Sequence, residues 1–344
     1  MKRILLLLAI STFLAVFGFA QSDLQPAAIV NLTKSEPITV KQLRSEVERM
    51  ETAAGRTLNR DERLEVLDVM INERLAIQAA ERDRIVISEA EINQQIQQLK
   101  AAMGQSIGRE PTDAEFAQAI RTQTGMEMQA FRDQARRQLI IQKYLLSKKQ
   151  NLFESLKEPT SDEILSNFNL ARSQFVRPDT VRFSMIQVVY GNDKAKAKEL
   201  ADRLYREIGS SSSKFDEVAL KGQAANSGYQ AGDGGYLPRN HEAQQIVGAE
   251  FINTAFNLKQ GEVSKMMEGA RGYQIIKVTE SYAMKNLELD DIFQLGTRMT
   301  VRDYIGNVLL QEKQQALIAQ ATEELITELR AGKSYQIFDR NITW

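Results

Sequence analysis

The sequence contains no cysteine and only one histidine, His241. Without cysteine the chain cannot form a disulfide, a thiol nucleophile or a cysteine-ligated zinc or iron–sulfur site. A single imidazole leaves almost nothing from which to build a Ser-His-Asp triad or a histidine metal site, so we predict no metal and no cofactor. Its 44 Lys and Arg balance 45 Asp and Glu, and nucleic-acid binding proteins usually carry a basic excess. We therefore expect no nucleic-acid partner.

The first twenty residues have the three-part layout of a secretory signal peptide. Lys2 and Arg3 precede an apolar run over residues 4–17, and small residues follow it. We expect cleavage after Ala20. The run is shorter than the roughly 20 apolar residues of a spanning helix, so the mature chain is predicted to have no stable membrane span. An uncleaved anchor is the alternative, and the predicted location is the bacterial periplasm.

Residues 28–175 are predicted to form one short strand followed by capped helices. Residues Leu67, Ile71 and Leu75 fall on one helical face, so this amphipathic helix must pack against another element. Five pairs place a cap oxygen three residues before a Glu or Gln: Thr39 with Gln42, Asn59 with Glu62, Ser88 with Glu91, Thr112 with Glu115, and Thr160 with Glu163.

The composition changes near residue 176. Pro178 interrupts the helical pattern, and residues 181–190 are rich in the β-branched and aromatic side chains that are typical of strands. Mixed strand and helix patterns continue to about residue 284, which predicts a small α+β domain. After Lys285 the helical pattern returns, ends at Gly332 and is followed by a closing strand.

The terminal helix is not expected to be stable alone, because its apolar face would be uncovered. Its natural partner is the helical part of the N-terminal segment. We therefore predict an α+β fold in which residues 21–176 and 285–344 form one discontinuous, mostly helical domain. Residues 177–284 form the inserted α+β domain.

Several segments resemble a known family, the SurA-like periplasmic chaperones with an inserted parvulin-type peptidyl-prolyl isomerase domain. Residues 63–81 (RLEVLDVMINERLAIQAAE), 87–92 (ISEAEI) and 131–143 (FRDQARRQLIIQK) resemble the N-terminal helical domain of that family. The parvulin resemblance lies in five segments, which are specific in their order and spacing: 181–188 (VRFSMIQV), 232–237 (GDGGYL), 250–258 (EFINTAFNL), 261–264 (GEVS) and 272–278 (GYQIIKV).

The resemblance implies a pocket for a prolyl peptide bond. Parvulins combine an apolar proline pocket with two inward-facing histidines that flank a Cys or Asp. Phe251 matches the aromatic wall of the pocket, and Val247 stands one helical turn earlier. We predict a binding site made of these two residues together with Met185, Gln274 and Tyr236.

The polar chemistry of a parvulin is missing at the matching positions. Met185 and Gln274 occupy the two histidine positions, and the Cys or Asp position falls on Ala224 or Ala225. Methionine is an apolar filler, and glutamine forms hydrogen bonds but does not titrate. We therefore assign no catalytic residue and treat Met185, Gln274 and Ala225 as degenerate positions.

Three functions follow as hypotheses. The first is an ATP-independent periplasmic holdase for unfolded polypeptides, in particular outer-membrane proteins, whose parvulin-like domain is inactive or weak. The second is an active prolyl isomerase in which Gln274, Ser184 or backbone groups replace the histidines. The third is a scaffold whose insert recruits one fixed protein partner.

Overall fold

The computed structural model describes residues 24–224 and 227–344. The predicted signal peptide over residues 1–20 and the degenerate position Ala225 lie outside the described residues. The chain divides into two compact units. The first consists of Met1–Lys157 and Lys313–Trp344, and the second is Glu158–Glu312. The predicted fold class is confirmed, because a discontinuous helical unit is interrupted by a mixed α+β unit.

The N-terminal segment of the first unit is mostly helical. It contains α1 (Val40–Ala54), α2 (Arg60–Arg82), α3 (Glu89–Ile107), α4 (Asp113–Thr124), α5 (Met128–Lys148) and α6 (Gln150–Glu154). The predicted capping boxes at the starts of α1 to α4 are all formed. In each, the cap side chain accepts a hydrogen bond from the N3 backbone, and the N3 side chain accepts one from the cap backbone.

A three-stranded antiparallel sheet joins the two ends of the chain in the first unit. Strand β1 (Pro26–Val30) lies between β2 (Glu36–Thr39) and β9 (Tyr335–Ile337). Ala28 lies opposite Ile337, and Val30 lies opposite Tyr335. The closing strand predicted from the sequence therefore pairs with the first strand of the chain.

The terminal helix α12 (Val301–Ala331) completes the core of the first unit. Its residues Ala321, Leu325 and Leu329 belong to the same buried cluster as Leu67 and Leu75 of α2. The predicted packing of the terminal helix against the early helices is thus confirmed. Its apolar side chains cover the face of α2 that the sequence left without a partner.

The second unit contains a four-stranded antiparallel sheet in the order β5-β4-β7-β6. Its strands are β4 (Thr180–Val189), β5 (Gln230–Pro238), β6 (Met267–Glu268) and β7 (Gly272–Tyr282). A separate strand pair consists of β3 (Val176–Arg177) and β8 (Lys285–Asn286). The helices are α7 (Ser161–Ala171), α8 (Lys194–Ile208), α9 (Ser212–Gly222), α10 (His241–Val247) and α11 (Ala249–Asn257).

Each face of this sheet packs against its own helices. Successive side chains of a strand point to opposite faces. Ile186 and Val188 of β4 therefore pack in a buried cluster with residues of α8 and α9. Val181 and Phe183 belong to a second cluster with residues of α10 and α11. The predicted binding residues Phe251, Met185 and Val247 all lie at this second cluster.

The second compact unit is larger than the predicted insert of residues 177–284. A further buried cluster contains Phe168 and Phe175 before the sheet and Leu287, Val301 and Ile305 after it. Helix α7, which begins at the fifth capping box, joins this cluster through Phe168. Because these residues bury their side chains together, the compact unit begins at Glu158 and ends within α12 at Glu312.

Candidate functional site

The parvulin-like site lies on the face of the sheet that α11 covers. Met185 of β4 is opposite Gly232 of β5 and Ile276 of β7. It is half-buried and packs against the cluster that contains Phe251. One of the two positions that hold histidine in parvulins is therefore occupied here by a thioether, which offers apolar contact and no titratable group.

Gln274 occupies the other histidine position and belongs to a row of glutamines. It lies opposite Gln187 of β4, and Gln187 lies opposite Gln230 of β5. The three glutamines share one face, since residues paired across strands point the same way. Primary amides can donate and accept hydrogen bonds, but they carry no charge that could be tuned for proton transfer.

Phe251 and Val247 are held by the helical segment that covers this face. Phe251 is only 6% exposed, and its ring meets the ring of Phe183 edge to face with centroids 5.3 Å apart. Val247 is half-buried at the end of α10 and packs against the same cluster. The structure therefore brings Phe251, Val247 and Met185 together, while their role in binding stays a prediction.

Tyr236 lies in a different environment, beside a charged network. The Arg182 guanidinium lies 5.3 Å above the centre of the Tyr236 ring. Arg182 also pairs with Asp233 at 2.6 Å and with Glu280 at 2.9 Å. Hydrogen bonds from Arg182 lower the pKa of the Asp233 carboxyl below its usual value. The Tyr282 hydroxyl donates to Glu280, and this bond raises the pKa of Tyr282 to about 12.

His241, the single histidine, begins α10 and is exposed. Its Nε2 lies 2.9 Å from Nε2 of Gln245, one helical turn further along. It does not belong to the cluster around Phe251. The only imidazole of the chain is therefore placed on a helix surface and not on the sheet positions that carry histidine in parvulins.

A separate apolar groove lies in the first unit. It has a volume of about 1150 Å³ and is lined by residues of α1, α2, α5 and α12. Met50, Val66, Val69 and Met70 contribute apolar surface, and Ile326 contributes from the terminal helix. Val69 is 65% exposed although it lies within an amphipathic helix. An exposed apolar surface of this kind is typical of sites that bind other apolar groups.

A second groove of about 820 Å³ lies between α3, α4 and α5. Both grooves are lined by Arg49, Met126 and Gln138, so the two form one connected surface. Met103 and Phe116 add apolar area to the second groove. We call the combined surface the frame groove. Methionines suit such a surface because their flexible thioethers adapt to side chains of different shape.

Several charged residues at the frame groove form ion pairs within the protein. Arg137 forms an ion pair with Glu73 at 3.2 Å, and Arg49 pairs with Glu46 on its own helix. Glu65 adds an exposed carboxylate to the lining of the groove. Asn72 also lines it, and its Oδ1 is buried with no hydrogen-bond partner among the described residues. Because this oxygen is buried, it is not exposed to a ligand in the groove.

Sequence reasoning named the residues of the parvulin-like site, whose role in binding stays a prediction, and missed the frame groove. One signal for an apolar binding surface was the presence of several methionines in the helical segment, among them Met50, Met70, Met103 and Met126. A further signal was Val69, which lies off the buried face of α2. Neither signal reveals a groove until the packing of the four helices is known.

Two family models match this chain. A model of the PPIC-type PPIASE domain matches residues 165–282. A model of the SurA-like N-terminal domain matches residues 1–145. The chain therefore combines a SurA-like N-terminal domain with a parvulin-type domain. Within residues 24–224 and 227–344, every helix of this SurA-like chain is too short or too polar to serve as a bilayer span.

Curated relatives of the SurA-like chain carry two names. The chaperone SurA of Alcanivorax borkumensis is 30% identical over 227 residues, which are 63% of this chain and 47% of that protein. The chain thus spans about half the length of that relative. The foldase protein PrsA of Clostridium botulinum, strain Langeland, is 22% identical over 298 residues, 85% of this chain and 78% of that protein.

A solved structure that matches this chain comes from Campylobacter jejuni. The description of that structure names the virulence factor PEB4 and the periplasmic protein Cj1289 as two structurally related SurA-like chaperones. The match covers 91% of this chain and 99% of that chain, with 14% identity and a TM-score of 0.39.

Proposed function

We propose that this SurA-like chain is an ATP-independent holdase of the periplasm that binds unfolded polypeptides, in particular outer-membrane proteins in transit. The observation that carries the proposal is the frame groove, a surface that is lined by methionines and other apolar side chains and in which Arg137 and Arg49 form ion pairs within the protein. The signal-peptide pattern before residue 21 supports the periplasmic location. The similarity to the chaperone SurA supports a client-binding role.

The chemistry of the frame groove suits extended apolar clients. Unfolded outer-membrane proteins expose apolar side chains, and the groove removes them from water at roughly 25 cal/mol for each Å² of apolar surface buried. The methionines accept different side chains without a fixed shape.

The proposal is tested by dilution of a urea-unfolded outer-membrane protein into buffer without nucleotide. Light scattering then follows the aggregation of that protein. We expect the mature chain at an equimolar ratio to reduce the scattering strongly. An unchanged aggregation curve at stoichiometric excess of the chain would refute the holdase function.

A matched pair of variants tests whether the frame groove is the binding surface. Val69→Asp places a charge in the groove at a position that is 65% exposed, so folding is little affected. Val86→Asp makes the same change at a position that is 73% exposed and does not line the groove. We expect Val69→Asp to lose most of the suppression and Val86→Asp to keep it.

We further propose that the parvulin-like unit does not catalyse prolyl isomerisation. Proton-donating and charged groups that favour a twisted amide are replaced by Met185 and Gln274 at the matching positions. An NMR exchange assay on a short proline peptide is expected to give the uncatalysed rate. A faster rate that disappears in Phe251→Ala would favour the alternative function, an active isomerase.

A further inference from the structure

Phe183 and Phe251 form one edge-to-face pair in the parvulin-like unit. Their centroids are 5.3 Å apart, and each residue is only 6% exposed. Phe251 matches the aromatic wall of the proline pocket in parvulins. A wall that receives a proline ring must present its own ring to solvent or to a cavity. Here the Phe251 ring is covered by another side chain of the same protein.

Gly234 makes room for the Phe183 ring. The register between β4 and β5 shifts at this point, because Phe183 pairs with Gly235 while Ser184 pairs with Asp233. Gly234 is the extra residue of this bulge. A Cβ at position 234 would lie 2.7 Å from Cδ2 of Phe183, and two other ring atoms are nearer still. The ring therefore occupies space that any other residue at 234 would take.

The Phe183 side chain points to the face of the sheet that carries the predicted binding site. Phe183 and Met185 are two residues apart on β4, so both point to the face that α11 covers. The ring contacts the Phe251 ring and lies over Gly234 of the bulge, on the face of the sheet that also carries Met185. An incoming apolar side chain would have to displace it.

We propose that Phe183 is a built-in plug that fills the proline pocket of the parvulin-like unit. Phe183 thereby prevents proline segments from binding to this unit. Gly234 leaves the space that the Phe183 ring needs. The inference rests on the proposed function in one respect, the absence of isomerase activity in this unit. It adds a cause that is separate from the loss of the histidines, because a filled pocket prevents binding as well as chemistry.

The test measures peptide binding to the full chain by fluorescence anisotropy. The probes are labelled Ala-Phe-Pro-Phe and Ala-Phe-Ala-Phe, and their comparison separates proline recognition from general apolar binding at the frame groove. We expect Phe183→Ala to bind the proline peptide at least tenfold more tightly than the wild type does. The affinity for the alanine peptide is expected to stay the same.

Phe215→Ala is the matched control. Phe215 is also a buried phenylalanine of the second unit, but it packs in the cluster on the opposite face of the sheet. Its removal creates a comparable internal cavity away from Phe251 and should not change the affinity for proline. If Phe183→Ala does not fold, as judged by circular dichroism, Phe183→Leu opens part of the same volume and is expected to show a smaller proline-specific gain.

Two results would overturn the plug. The first is a wild-type chain that binds the proline peptide as tightly as the Phe183 variants do. The second is a folded Phe183 variant with no proline-specific gain. Failure of the wild-type chain to suppress aggregation would refute the holdase function and leave the plug unaffected. The two proposals are therefore decided by different measurements.

Discussion

Asp68 of α2 accepts a hydrogen bond from Arg330 of α12, although the two residues are 262 positions apart in the sequence. The Arg330 guanidinium also lies 4.9 Å from the centre of the Tyr335 ring on β9. Both charged groups are partly exposed, so the ion pair itself contributes little to stability. The terminal helix is held mainly by its buried side chains near this ion pair, which include Leu325 and Leu329.

Removal of one of those buried side chains should unfold the first unit more easily. Leu325 is buried in the core that α12 shares with α2. Leu325→Ala is expected to lower the free energy of unfolding by about 2–5 kcal/mol. The measurement is urea unfolding followed by the fluorescence of Trp344, the single tryptophan, which packs against the same core. Ile318→Ala changes an exposed residue of the same helix and should shift stability by no more than about 0.5 kcal/mol.

Asn72→Leu should separate stability from function. The Asn72 oxygen is buried without a partner among the described residues, and an unsatisfied buried polar group costs about 1–3 kcal/mol. The variant is therefore expected to unfold at a higher urea concentration. Its suppression of aggregation is expected to equal that of the wild type, because the buried oxygen is not exposed to a client. Asn307→Leu, at an exposed position of α12, should change neither property. A urea midpoint at or below that of the wild type would contradict the predicted gain in stability.

The pH dependence of stability should report on the capping boxes. Glu91 accepts hydrogen bonds from the Ser88 backbone and from Lys143, and these bonds lower the pKa of its carboxyl to about 2. The unfolded value is 4.5. Because the folded pKa is the lower one, the stabilisation is complete above pH 4.5 and is lost as the pH falls towards 2.

Glu91→Gln keeps the capping geometry and removes the titration. We expect the wild type to exceed this variant in stability most clearly above pH 4.5. The difference should shrink between pH 4.5 and 2, because the wild-type carboxyl then takes up a proton. Urea midpoints measured across this range check the prediction. A difference that stays constant from pH 6 to pH 2 would contradict it.

Restoring both histidines should not restore isomerase activity while the plug remains. The double variant Met185→His and Gln274→His supplies the missing polar side chains at the matching sheet positions. Because Phe183 still covers Phe251, we expect a rate within twofold of the uncatalysed rate. The same NMR exchange assay measures it. A markedly faster rate in the double variant would show that Phe183 does not block the pocket.

The sequence predicted the fold well. The roles of the parvulin-like site residues stay predictions, and the frame groove was not predicted. All five capping boxes are formed, and the terminal helix packs where the uncovered apolar faces required it. Helix α7 begins at a predicted cap, but no sequence pattern indicated that it belongs to the compact unit of the sheet. That placement depends on Phe168, which packs with Leu287 and Val301 more than a hundred residues later.

The amino-acid pattern alone determined the features that arise within a few residues of chain. A cap such as Ser88 with Glu91 forms inside one helical turn, and the exclusion of cysteine chemistry needs only a residue count. Tertiary structure alone decided which distant side chains meet. Phe183, Gly234 and Phe251 come together only because β4, β5 and α11 pack against one another. Met50 and Ile326 line one groove only because α12 packs against the N-terminal helices. Such contacts depend on the packing of whole elements, which local periodicity does not encode.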